Sequence, residues 1–208
     1  LGLAAEHVLL FVGRLAPIKG LETLLRALAA ARSNGLGRTN VRLVVVGGDK
    51  EERWDGDAAR LRRMAGELGV AAWVDFRGPQ SQERLPDYYA AADLCLMPSL
   101  YESFGMVALE AMACGVPVIA SRVGGLAVTV QDGVTGALVP EGDAQALADR
   151  IASLLEDDGR RWLLGRQATE WARRFAWPCI ARKVADVYGE LVPAVSRSAR
   201  RSRCPSLL

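Results

Sequence analysis

Two carboxylates eight residues apart, Glu102 and Glu110, stand in the stretch Pro98–Val118, where nearly everything else is apolar or small. The pattern predicts a helix from about Gly105 to Ala113, apolar on almost every side, and a helix of that composition is buried all round. Glu110 is its only charge. A buried carboxylate without donors is expensive, so Glu110 is expected to face a cleft and accept hydrogen bonds from hydroxyls of a bound molecule. Glu102 falls in the loop before the helix, where Ser103 and Gly105 offer cap chemistry. The backbone N–H groups of Ser103, Phe104, Gly105 and Met106 lie between the two acids and form a donor-rich rim for an anion or a polyol. A second constellation is Gly13-Arg14-Leu-Ala-Pro-Ile-Lys19-Gly20, two cations in one glycine-bounded loop. An Arg fork and a Lys point charge suit a diphosphate, although the spacing alone also fits two solvated cations.

The elements that must position these residues alternate. Continuous apolar runs at Val8–Val12, Val41–Val46 and Leu94–Met97 have the length and composition of strands buried on both faces. Shorter strands are expected at Trp73–Phe76, Val116–Ala120 and, on the edge, Gly136–Val139. Helical patterns separate them, at Leu21–Arg32, about Ala58–Leu68, Gln82–Ala92 and the Glu110 segment, with Ala144–Leu155 following. Such alternation implies right-handed βαβ units and a doubly wound, Rossmann-like parallel α/β sheet with helices on both faces. Arg161–Phe175 and Cys179–Val192 add a helical C-terminal extension. Residues 1–192 are thus expected to form one domain, and 193–208 a basic, disordered tail. In doubly wound sheets ligands gather at the carboxyl ends of the strands. Arg14 and Lys19, Gly47 to Asp49, Arg77 to Gln80, Glu102 to Gly105 and Gly124-Gly125 all follow strands, so five loops should converge on one rim.

Composition excludes several classes. The net charge is +2, but Arg197, Arg200, Arg201 and Arg203 in the tail outweigh it, so the body is not a nucleic-acid binder. No apolar run reaches the length of a membrane span. The four cysteines, Cys95, Cys114, Cys179 and Cys204, show no metal or redox spacing, and free thiols fit a reducing, cytoplasmic setting. His7 is the single histidine, which leaves multi-histidine metal and Ser-His-Asp chemistry unsupported within this chain. The absence of a full G-x-G-x-x-G after the first two strands argues against a nicotinamide or flavin enzyme.

Glu102-Ser-Phe-Gly-Met-Val-Ala-Leu-Glu110 resembles the E-x7-E signature of retaining GT-B glycosyltransferases of the family 4, group 1 type, and the likeness runs from about Leu10 to Tyr188. The resemblance implies the second half of a GT-B fold, which holds the nucleotide-sugar donor. Arg14 and Lys19 would hold the pyrophosphate and stabilise the departing nucleoside diphosphate, so no metal and no cofactor beyond the donor itself are expected. Glu110 would grip the ribose hydroxyls, while Glu102 would lie beside the donor sugar. Gly13, Gly47, Arg77, Pro79 and the segment Ser103, Phe104, Gly105, Met106 and Val107 complete the expected donor site. Arg77 to Gln80 resembles the part that borders the base, and Phe175-Ala-Trp177 resembles a landmark that opens the final helix. Val45-Val-Gly-Gly, Glu67-Leu-Gly, Pro79-Gln-Ser and Gly124-Gly-Leu most resemble the sucrose-phosphate synthase and mycothiol glycosyltransferase branch, which implies a UDP-sugar.

In the family the acceptor is bound mainly by an N-terminal domain, for which this chain shows no counterpart. It is therefore expected to be a donor-binding half, inactive alone, with Leu1–Glu6 as remnant of an interdomain link and peripheral membrane contact left to the full protein. Two rival readings stay open. A GT-B-fold sugar-nucleotide epimerase would also grip a nucleoside diphosphate, but relies on acidic and histidine residues not seen here. A non-catalytic nucleotide-sugar-binding subunit would keep the same grip.

Overall fold

The computed structural model describes residue 2 and residues 7–33, 40–48 and 56–191. Asp49, the link residues before His7 and the basic tail fall outside the described residues. The strands are β1 (His7–Val12), β2 (Val41–Val46), β3 (Val74–Gly78), β4 (Leu94–Met97), β5 (Val118–Ser121) and β6 (Gly136–Val139). They form one sheet in the order β3-β2-β1-β4-β5-β6, every neighbouring pair parallel. The helices are α1 (Leu21–Ser33), α2 (Asp57–Glu67), α3 (Leu85–Ala90), α4 (Met106–Ala113), α5 (Leu126–Thr129), α6 (Ala144–Leu155), α7 (Asp158–Ala172) and α8 (Trp177–Leu191).

Side chains alternate across a strand, and here both sides are apolar because both sides are covered. Leu9, Phe11, Leu43, Val45, Leu94, Leu96 and Ile119 share a core with the inward residues of α1 and α6. The intervening Leu10, Val44, Cys95, Val118 and Ala120 are equally buried. The central strands therefore read as unbroken apolar runs, whereas β3, at the edge, is half-buried along its whole length.

Several boundaries differ from the sequence expectation, each for a local reason. Trp73 belongs to a 3-10 turn closed by its N–H on Val70 O at 2.9 Å, so β3 starts at Val74. The Gln82–Ala92 pattern splits into a 3-10 turn at Gln82–Arg84 and α3, with Pro86 in the first turn of α3. The fifth strand begins at Val118 rather than Val116, because the Val116 N–H closes the end of α4 on Ala111 O at 3.0 Å and Pro117 has no N–H to give. The four-residue α5 was not expected.

The chain divides into two compact units, one ending at Ala172 and the other beginning at Arg173. In the second, a 3-10 turn at Arg173–Phe175 packs on α8, which starts at Trp177 with Pro178 in its first turn.

Candidate active site

Because all six strands run the same way, their carboxyl ends share one edge of the sheet. Chain order reverses between β1 and β4, which are hydrogen-bonded neighbours, and a crevice opens at such a point. The loops after these two strands are stitched together. Leu100 N–H donates to Ile18 O at 2.8 Å. Gly20 turns with φ +70°, and a Cβ there would lie 1.8 Å from Pro98 O, so glycine is required for the approach. The same contact brings Lys19 to Glu102: Nζ donates to Oε2 at 2.6 Å, with only 22% and 15% of the two side chains exposed. Arg14, on the same loop, is exposed and makes no ion pair with a described residue.

The Glu102 loop is pinned from its other side by the turn after β5. Gly125 N–H donates to Glu102 O at 2.8 Å. Cβ atoms on Gly124 and Gly125 would stand 2.2 Å from Glu102 O and 2.3 Å from Ser103 O. Thr129 Oγ1 donates to Phe104 O, and Trp171 Nε1 in α7 donates to Thr129 O, each at 2.8 Å. Of the two residues expected to cap α4, Gly105 does so and Ser103 does not. Gly105 is the N-cap of α4, in the left-handed region at φ 87°, and no side chain caps the helix; Ser103 is exposed instead. The first turn of α4 thus starts without a side-chain cap, beside exposed Phe104 and Met106 and half-buried Val107.

Glu110 sits half-buried on the second turn of α4 and forms no ion pair with a described residue. A bound molecule was expected to supply its donors, but one comes from the chain itself: Tyr89 of α3 donates its hydroxyl to Glu110 Oε2 at 2.7 Å. Burial, with the neighbouring Cys95 and Glu110, pushes the Tyr89 phenol far up, so it stays protonated and donating. Burial and the Glu110 charge also push the Cys95 thiol up to about 12 and raise that of Cys114. Cys95 is fully buried, whereas Cys114, expected inside an apolar element, is exposed at the end of α4.

Of the remaining expected residues, Gly13 and Gly47 meet on the same edge. Gly13 N–H continues the ladder to Val46 O and Gly47 N–H to Gly78 O, each at 2.9 Å, and a Cβ on Gly47 would be 1.8 Å from Gly13 O. Arg77, on β3, is held by Asp75, its Nε donating at 2.7 Å to Oδ2, and Pro79 is exposed beside it. Lys19 thus pairs with Glu102 between the loops that follow β1 and β4, with Arg14 on the β1 loop, while Glu110 stands on α4 against Tyr89. Arg77 and Pro79 stand two strands away on the sheet edge. Tyr89 and Thr129 escaped the sequence reading, and so did the contacts of the expected loop glycines Gly20 and Gly125, since all of these join residues distant in the chain. Among the described residues no three His, Cys, Asp or Glu side chains cluster as a metal site, and no helix is long and apolar enough to cross a membrane.

Comparison with known proteins fits this geometry. Residues 4–171 match the family described as glycosyl transferases group 1. The chain is 42% identical over 197 residues to the D-inositol 3-phosphate glycosyltransferase 2 of Catenulispora acidiphila, covering 95% of this chain and 46% of that protein. It is 42% identical over 185 residues to the D-inositol 3-phosphate glycosyltransferase of Corynebacterium glutamicum, covering 89% and 44%. Among solved structures, HepE of Anabaena in complex with UDP superposes with a TM-score of 0.80 at 31% identity, over 90% of this chain and 50% of that one. Sucrose-phosphate synthase of Thermosynechococcus elongatus gives 0.77 at 42% identity, over 89% and 45%. The chain spans about half the length of these relatives or less. On the family match, with the fold these structures share, the chain belongs to the group 1 glycosyltransferases.

Proposed function

We propose that this chain is the donor-binding half of a glycosyltransferase that moves a sugar from a nucleotide sugar, a UDP-sugar, to an acceptor with retention of configuration. The observation that carries it is the Lys19–Glu102 pair across the β1–β4 switch point, with Glu110 and the uncapped start of α4 beside it. A diphosphate entering there meets Arg14 and Lys19, whose charges stabilise the negative charge that develops on the departing UDP. That role supplies what a metal would otherwise supply, so we assign none and no cofactor. Glu110 takes the ribose hydroxyls, while Glu102 and the Ser103–Gly105 amides take the sugar. Gly13 and Gly47 allow the backbone to approach, and Arg77 with Pro79 borders the base.

Support for UDP comes from the relatives: HepE, at 31% identity, has been solved with UDP-glucose. We assign the acceptor, and any peripheral contact with a membrane, to the part of the relatives' length that this chain does not span. Residues 1–192 would serve as the donor domain, the cytoplasm being assigned on the free thiols of Cys95, Cys114 and Cys179. Calorimetric titration with UDP, GDP and ADP tests the assignment. Selective UDP binding that Glu110→Ala weakens but does not abolish is expected; a folded chain that binds none of the three would defeat it.

A further inference from the structure

We infer that Tyr89 is the positioning residue that makes Glu110 a ribose reader, an inference that rests on the donor-site assignment above. Tyr89 is 2% exposed, and among the described residues its hydroxyl has one hydrogen bond, to Glu110 Oε2 at 2.7 Å. An ionised carboxylate only accepts, so the phenol must be the donor. Glu110 has no other donor among the described residues and no cation. Its terminal torsion is of the broad, roughly two-fold kind that an isolated carboxylate samples widely. A fixed donor on Oε2 removes that freedom. It occupies about one of the carboxylate's four acceptor positions and leaves Oε1 and the rest of Oε2 for a pair of neighbouring hydroxyls.

Tyr89 can do this because of where α3 stands. The helix packs on α4, and its tyrosine is wedged beside the fully buried Cys95 of β4, whose thiol cannot supply a charge below the alkaline range. Burial on that scale holds a ring in one rotamer, so the donor is fixed before any ligand arrives. The carboxylate is therefore preorganised, and a nucleotide without hydroxyls at the ribose gains nothing from it.

The test uses the wild-type chain, Tyr89→Phe, Glu110→Ala and the double variant, titrated with UDP and with 2′,3′-dideoxyuridine diphosphate. The wild type should prefer UDP. Tyr89→Phe, which removes one oxygen and keeps the ring, should shrink that preference about tenfold, the size of a hydrogen bond to a charged group, while dideoxy-UDP binds as before. In the Glu110→Ala background the same change should alter nothing, since Tyr89 acts through Glu110. A Tyr89→Phe protein that weakens both ligands equally, or keeps the full preference, overturns the inference and makes Tyr89 a packing residue; so does an equal loss in both backgrounds. A wild type that binds UDP no better than dideoxy-UDP defeats the donor-site assignment itself, and the inference with it, and is told apart because no substitution is involved.

Discussion

Substituting Gly125 by alanine isolates the effect of one close approach. Gly125 has φ −64° and ψ −24°, which alanine adopts freely. Taken alone, the exchange would stabilise the protein by about 0.4–1 kcal/mol through the unfolded chain. The added Cβ, however, would stand 2.3 Å from Ser103 O and 2.5 Å from Phe104 Cα, both backbone atoms. One of the two segments must retreat by about 1 Å to restore ordinary contact near 3.5 Å. The Glu102 loop cannot yield without disturbing its bonds to Gly125 N–H, Thr129 Oγ1 and Ile18 O. Overpacking of this kind costs about 1–3 kcal/mol, so the net loss should be about 1–2 kcal/mol, a fall in Tm of about 2–8 °C. Binding should fall as well, because the loop carries the partner of Lys19, and a shift of about 1 Å there displaces the cation that a diphosphate meets. Thermal melts and UDP titration of the same sample read both. Gly142→Ala serves as control: at φ +70° with open space around it, it should lose about 1 kcal/mol of stability and no affinity. A Gly125→Ala chain that melts at or above wild type and binds UDP equally would refute the reasoning.

Glu102→Gln should free Lys19 from its counter-charge, so UDP should bind more tightly while a UDP-sugar gains less or loses. The melting temperature should fall, because Lys19 is left without its counter-charge in a largely shielded place; unchanged affinity for both ligands would show that the pair does not compete with phosphate. Cys95 gives a pH signature. Its unfolded thiol ionises near 9 and the folded one near 12, so the contribution is complete below pH 9 and is lost as pH rises through 9–12. Unfolding then releases one extra proton in that window, about 1.4 kcal/mol per pH unit, and denaturant melts of wild type against Cys95→Ala should show the shallower slope in the variant. Parallel slopes would mean the buried thiol already ionises with the unfolded one's pKa.

Most of the sheet was legible because its central strands are buried on both faces, which forces unbroken apolar runs such as Val8–Val12 and Leu94–Met97. The carboxyl-edge rule then placed Lys19 and Glu102 on one rim. It could not place them in contact, since that depends on Gly20 sliding over Pro98, an event no local pattern records. Glu110 stood out as a lone charge in an apolar helix, but its partner Tyr89 did not: a tyrosine in an aromatic pair on a short helix reads the same whether its hydroxyl meets a carboxylate or water. Ser103 misled because a serine near a helix start usually caps it. Here Gly105 makes the entry instead, in a left-handed turn closed to larger residues by Leu126.

The junction of β1 with β4 has a consequence for how this chain is made. Strands β1, β2 and β3 leave the ribosome first and can pair at once, but one side of β1 then stays bare. That side is closed only when Leu94–Met97 arrives, and at about 5–20 residues per second the stretch from Val12 to Met97 takes about 4–17 s to synthesise. For that interval the strand whose Leu9 and Leu10 end up fully buried is an open edge, the kind that recruits foreign strands. The nascent chain thus carries an open edge at the β1–β4 seam until Met97 has been made.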